Sequence, residues 1–315
     1  MRRPLTNLLS LLVLGGLAVQ ATAQSMAYVL QADAFAKTRA AAVRRLAACD
    51  RDLVVIDIAY DGSPAGAWTK AEVRAIRAGK PGRRVVAYLS IGEAEDYRAY
   101  WNTAWDANRD GKPDPGAPAF LGEANPDWPG NYRVRYWQPA WQAIVLNMLD
   151  GVVARGFDGV YMDIVDAFET YEYDPVSGDW IDNRINPETG RTYRRDMVAW
   201  VDTLAARARL KKPSFTVIPQ NGSQLLRFKV FRNTVSGIGI EDLFTDGNRT
   251  QPASHVDPIL ADLQRIIGQH KPVFLIEYGV TERARTVSQT RARQNDLSLL
   301  LTDRDLKTLG KCYIP

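Results

Sequence analysis

Gly156-Phe157-Asp158-Gly159-Val160-Tyr161-Met162-Asp163 constrains the fold of this chain more than any other segment. It reads as a helix end, a tight turn and a short apolar strand that finishes on a carboxylate, with Asp166 following three residues later. The pattern recurs. Apolar runs bounded by turn residues, several ending on an acid, alternate with stretches of helical spacing. Strands are expected over 26–30, 53–59, 85–91, 159–163, 215–218, 237–240, 273–276 and 297–301. Helices are expected over 37–49, 69–80, 138–155, 188–210, 257–269 and 283–294. Strands alternating with helices imply a parallel sheet, and eight strands are the number that closes into a (β/α)8 TIM barrel. An open doubly wound sheet is the competing architecture, but no glycine-rich phosphate turn follows the first strand. Polar insertions over 105–137 and 171–186 lengthen the loops after the third and fourth strands.

The 315 residues, 46% of them hydrophobic, suit one such barrel, and no composition shift divides the chain. Arg2 and Arg3, an apolar run over 8–19 and Ala21-Thr22-Ala23 read as a secretory signal cleaved after residue 23. That leaves 24–315 as a single exported domain, periplasmic or secreted. No later stretch is long and uncharged enough to stay in a membrane. The two leader arginines belong to a net charge of only +4. With no basic stripe interleaved with aromatics, nucleic acid is not an expected partner. Cys49 and Cys312 are a disulfide candidate in an oxidising compartment; two buried free thiols are the other reading. His255 and His270 are the only histidines, which excludes a histidine-rich metal site.

The chemistry lies in the strand-end carboxylates. Cleaving a glycosidic bond takes two carboxyl groups, one to protonate the leaving oxygen and one to attack the anomeric carbon or activate water. In a parallel barrel, residues at the ends of different strands converge on one mouth. Asp163 after the fourth strand and Glu241 after the sixth are such a pair, while Asp57, Glu93, Asp166, Asp242 and Glu277 stand at or near other strand ends. Any one acid could instead cap a helix or pair with a surface arginine. Capping does not account for an acid inside Val54-Val55-Ile56-Asp57. An acidic mouth would gather a polymer carrying ammonium groups. Trp101, Trp105, Trp128, Tyr132, Tyr136 and Trp137 could stack on sugar faces or simply pack a long loop over the barrel.

At these residues the chain resembles glycoside hydrolase family 114, the endo-α-1,4-polygalactosaminidase-like barrels. The resemblance rests on Leu53-Val54-Val55-Ile56-Asp57 and on Tyr88-Leu89-Ser90-Ile91-Gly92-Glu93-Ala94-Glu95 with Tyr97 and Trp101. It continues through Asn131-Tyr132, Tyr136-Trp137, the segment ending at Asp163, Gln220-Asn221-Gly222 and the strand to Glu241. It implies hydrolysis within an α-1,4-linked galactosamine polymer without a cofactor. Asp163 becomes the nucleophile and Glu241 the acid/base. Asp57, Tyr88, Glu93, Tyr161, Asp166, Asn221, Glu277 and Trp137 are then expected to bind substrate. Two other readings stay open: a carbohydrate-binding barrel without turnover, and a metal-dependent hydrolase on the same fold. The oligomeric state is left open.

Asp106, Asn108, Asp110 and Asp114 place side-chain oxygens at positions one, three, five and nine of a calcium-type loop, with Gly111 at position six. Ala117 stands where a bidentate glutamate belongs. An Asx-rich surface turn is the alternative to a calcium site.

Overall fold

Both faces of a parallel sheet are covered, so strand residues alternate between two buried environments. That alternation organises this molecule, a computed structural model that describes residues 24–279 and 281–315. The leader expected at 1–23 lies outside the described residues. The barrel strands are β1 (Met26–Val29), β2 (Leu53–Ile56), β3 (Arg84–Ser90) and β4 (Gly159–Asp163). They continue as β5 (Thr216–Pro219), β6 (Ile238–Glu241), β7 (Val273–Glu277) and β8 (Ser298–Leu301). Met26, Tyr28, Leu53, Val55, Val86, Tyr88, Tyr161, Phe274 and Ile276 pack on one another inside the barrel. Val54, Val85, Val160, Val217 and Leu275, one residue out of phase, pack in the layer between strands and helices.

Parallel ladders join β1 through β5 and β6 through β8. The two ladders meet at a parallel bridge between Gln220 and Gly239, where Asn221 N donates to Gly239 O at 2.8 Å. At the other seam the terminal strand Lys311–Tyr313 pairs antiparallel with β8. There Met26 N of β1 donates to the Cys312 sulfur at 3.4 Å. The architecture is the expected (β/α)8 barrel.

The outer layer is α1 (Arg39–Ala48), α2 (Lys70–Ala78), α3 (Pro139–Ala154), α4 (Tyr193–Lys211), α5 (Lys229–Thr234), α6 (Ala253–Ile267) and α7 (Glu282–Gln294). Their starts are chemically marked. Thr69 and Glu72 form a reciprocal capping box at α2, and the Thr192 and Thr281 hydroxyls accept from Arg195 N and Ala284 N. The short α5, unforeseen in the sequence, fills the place after β5.

Both long insertions carry strands of their own. Glu93–Glu95, Asn131–Val134 and Leu121–Ala124 form an antiparallel sheet, and Tyr173–Asp174 pairs with Asp179–Trp180 in a hairpin. Trp101 packs 5.1 Å from Trp105 and 4.5 Å from Tyr132, so these rings build the loop rather than line an open face.

Two pairs of alternatives that the sequence leaves open are decided here. Cys49 and Cys312 are free thiols. Cys49 donates to Leu46 O at 3.1 Å within its own helix end, while Cys312 is engaged by β1, so each sulfur has a separate partner. The calcium-type loop is an Asx turn whose oxygens are already occupied. Asp106 accepts from Asp110 N, Gly111 N and the Tyr132 hydroxyl at 3.1, 3.0 and 2.6 Å. Asn108 accepts from Asp110 N, Asp110 from Lys112 N, and Asp114 from Ala107 N. Among the described residues no group of three or more His, Cys, Asp or Glu side chains could hold a metal ion.

Candidate active site

Strand parity decides which side chains reach the mouth. On β4, Tyr161 is directed into the barrel with the other interior residues, and Asp163 follows it in the same phase, one layer higher. On β6, Gly239 and Glu241 share the corresponding phase. Both acids are only half-buried, whereas the residues beneath them are sealed.

Each acid is held by a tyrosine and followed by a left-handed residue. The Tyr88 hydroxyl donates to Oδ2 of Asp163 at 2.8 Å, and Ile164 N donates to Oδ1 at 2.8 Å. Ile164 adopts φ 55°, which is costly for a β-branched residue, and a Cβ on Gly92 would strike its carbonyl. Asp242, the residue after Glu241, has φ 47°. The Tyr278 hydroxyl donates to Oε1 of Glu241, and Asn221 Oδ1 accepts from Glu241 N at 3.1 Å. Asn221 and Gly222 are themselves left-handed, at φ 58° and 63°, so the Gln220-Asn221-Gly222 motif is a turn that aims an amide at the second acid.

The two carboxylates differ electrostatically. Burial raises Asp163 above its ordinary range, opposed by the bonds from Tyr88 and Ile164. Burial, reinforced by the charge of Asp163, pushes Glu241 up to about 7. Glu93 also rises to about 7 through burial, despite the bond from Asn125 Nδ2 to its Oε1 at 2.9 Å, and Asp163 adds to the rise. Its other oxygen is buried with no hydrogen-bond partner among the described residues. Asp166 is raised well above its ordinary value by burial, then by Glu169 and Asp163. Burial also keeps the phenols of Tyr88, Tyr161 and Tyr278 in the protonated, donor form. The site thus holds several acids that resist ionising together.

Asp163, Glu241, Tyr88, Glu93, Asp166 and Asn221 therefore gather as the sequence led one to expect. Four expected substrate contacts do not. Asp57 is buried and bound bidentately by Arg98 at 2.9 and 2.6 Å, with Glu95 on the same guanidinium. Glu277 is out of phase with Ile276 and Tyr278, so it turns outward and accepts from Phe244 N, Thr245 N and the Thr245 hydroxyl. Trp137 packs edge-on to Tyr171 and against Tyr193, and its indole N–H donates to Glu188 at 2.9 Å. Tyr161 lies fully buried below the acids, its hydroxyl without a partner among the described residues.

Two contributors escaped sequence reading. Tyr278 was findable, because counting by twos from Phe274 arrives at it and not at Glu277. Arg304 was not. It follows β8, pairs with Asp242 at 2.7 Å and lies 4.3 Å from the Tyr278 ring centre.

Residues 18–314 match the model of glycoside-hydrolase family GH114. The chain belongs to family GH114. It is 40% identical over 82% of its length to an uncharacterised protein of Deinococcus radiodurans, covering 75% of that relative. It is 33% identical over 84% of its length to an uncharacterised protein of Methanocaldococcus jannaschii, covering 68% of that one. The fold matches the glycoside hydrolase domain of PelA from Pseudomonas aeruginosa with TM-score 0.58 at 19% identity, over 85% of this chain and 93% of that one. It also matches Ega3 of Aspergillus fumigatus, solved in complex with galactosamine, with TM-score 0.60 at 18% identity, over 94% and 96% of the two chains. As a GH114 member the chain is a glycoside hydrolase, and its partner is a saccharide. Among the described residues no helix is long and apolar enough to cross a membrane.

Proposed function

We propose that this glycoside hydrolase cleaves within an α-1,4-linked galactosamine polymer by a retaining, two-carboxylate mechanism. The observation that carries the reading is the unequal support of the two acids. Asp163 is raised by burial but receives two donated hydrogen bonds that favour its charged form, while Glu241 is pushed up to about 7, where a proton is available for transfer.

In the first step Glu241 gives its proton to the glycosidic oxygen as Asp163 attacks the anomeric carbon, and the bond to the leaving sugar breaks. The product is a glycosyl ester on Asp163. Glu241, now ionised, takes a proton from water, which attacks the same carbon and releases Asp163 with net retention. Tyr88 would stabilise the departing carboxylate. Glu93 and Asp166 face the same mouth, and an ammonium group of a deacetylated amino sugar bound there would favour their ionised forms and offset the burial that raises them. The galactosamine bound to Ega3 supports this substrate class. An exported enzyme meeting such a polymer outside the cytoplasm fits the leader read at 1–23.

The test is release of reducing ends from galactosamine, glucosamine and galactose polymers, with NMR identification of the first-formed anomer. Turnover restricted to the galactosamine polymer with α product first is the expected outcome. Activity confined to a neutral galactose polymer, or β product first, would overturn the substrate or the stereochemistry respectively. Asp163→Asn is expected to abolish turnover while the fold persists.

A further inference from the structure

Resting on the reading that the substrate is an amino-sugar polymer, we propose that the hairpin 173–181 is a remote binding platform for that polymer. It follows β4 and the short helix Phe168–Glu172, so it rises from the same end of the barrel as Asp163. Tyr173 and Trp180 are directly opposed across the two strands, with ring centroids 4.7 Å apart. Trp180 is 69% exposed and Tyr173 37%. A contiguous apolar patch held in water on a soluble domain marks an interaction surface.

The patch is held out rigidly. Arg194, nearly buried, bonds Glu172 and Asp182 at 2.7 Å each. Arg184 pairs with Asp174 at 3.1 Å and donates to the carbonyls of Tyr171 and Tyr173 at 3.0 and 2.8 Å. Ile181 N and Asn183 N both close onto Glu172 at 2.8 Å. An unsupported two-stranded hairpin is marginal in water, and these ties replace the support it lacks. Two stiff aromatics offer a large contact area at low entropic cost, and a pyranose face is the planar, partly apolar counterpart.

Charge selects among saccharides. Around the hairpin Glu172, Asp174, Asp179 and Asp182 outnumber Arg184 and Arg194, and all of these acids but Asp179 are paired with those two cations. Asp174 and Asp179 are opposed across the strands, a like-charge pair that weakens the hairpin itself. By strand alternation they lie on the face opposite the rings, so Asp179 acts on a stacked sugar through its field and not by contact. A ligand presenting apolar ring faces and ammonium groups matches both features, which neither a neutral glycan nor an anionic lipid surface does.

The experiment compares wild type, Trp180→Ala, Tyr173→Ala/Trp180→Ala and Trp180→Phe on soluble deacetylated galactosamine polymer and on galactosamine tetramers. Trp180 is mostly exposed, so the variants are expected to fold, and Trp180→Phe keeps an aromatic face. The platform predicts a rise in KM on polymer of roughly tenfold for the alanine variants. It also predicts a kcat/KM on tetramer within about twofold of wild type, and near-complete rescue by Trp180→Phe. Affinity electrophoresis in the Asp163→Asn background should show the same loss of retardation by polymer. Unchanged polymer KM and retardation in the alanine variants would overturn the platform while leaving the catalytic reading intact. Loss of binding to anionic vesicles or to a protein partner, with polymer binding unchanged, would overturn it in favour of that occupant. Wild type inert on both galactosamine substrates would remove the substrate reading and the platform with it.

Discussion

The hydroxyl of Tyr161 on β4 fills the space that a Cβ on Gly239 of β6 would occupy. The two residues form the layer directly beneath Asp163 and Glu241, so one vacant side-chain position sets the height of the floor. Gly239 has no conformational need to be glycine; it is excluded from carrying a side chain by the ring across the barrel.

Gly239→Ala is therefore expected to cost about 2–4 kcal/mol, because the methyl must displace a sealed aromatic ring. Tyr161→Phe removes the closest atom, and that hydroxyl has no partner among the described residues. The double variant Gly239→Ala/Tyr161→Phe should recover at least part of the loss. Denaturant unfolding of the four proteins gives the coupling directly, and strict additivity would contradict the contact.

Tyr278→Phe tests the acid. Its hydroxyl lowers a Glu241 pKa that burial and Asp163 raise to about 7. Without that donor the ionised form is less favoured, so the basic limb of the pH–kcat/KM profile should move to higher pH. Arg304→Met should shift it the same way, since Arg304 also lowers Glu241 and its guanidinium stacks on Tyr278. A basic limb fixed in both variants would assign it to another group.

The same acids link stability to pH. Glu93 and Glu241 rise from the ordinary glutamate value to about 7, so between roughly pH 4.5 and 7 the folded protein holds protons that the unfolded chain has lost. Stability then falls as pH rises through that window and levels off above it. Glu241→Gln removes one ionisation and should stabilise the protein by about 1–3 kcal/mol at pH 8, with little change at pH 4.5. Thermal unfolding at the two pH values reads the difference.

How much of this was legible follows from which physics a sequence displays. Apolar runs located every barrel strand, since strand burial is local and period-dependent. The acids Asp163 and Glu241 were legible for the same reason, ending strands whose inner phase could be counted. Glu277 was misread because its neighbour Tyr278 holds the inward phase. Asp57 was misread because its partner, Arg98, is 41 residues away on a loop, and no local pattern announces a long-range ion pair. The left-handed turn at Ile164 was likewise invisible, because a β-branched residue is the last expected there. Neither cysteine shows in sequence that it already has a separate partner in the fold.

Arg98 provides the sharpest separation between holding the barrel and binding substrate. It is buried and compensates Asp57 and Glu95 together, at 2.6 and 2.7 Å. Arg98→Met should leave two buried carboxylates without their cation and cost about 3–5 kcal/mol at neutral pH. Burial already raises Asp57, and removing the guanidinium raises it further, so protonation at pH 5 should restore part of that loss. Asp57→Asn alone should change the melting temperature, yet leave KM for galactosamine oligomers near wild type once the protein is folded. A large rise in KM with unchanged stability would return Asp57 to the substrate-binding set from which its ion pair removes it.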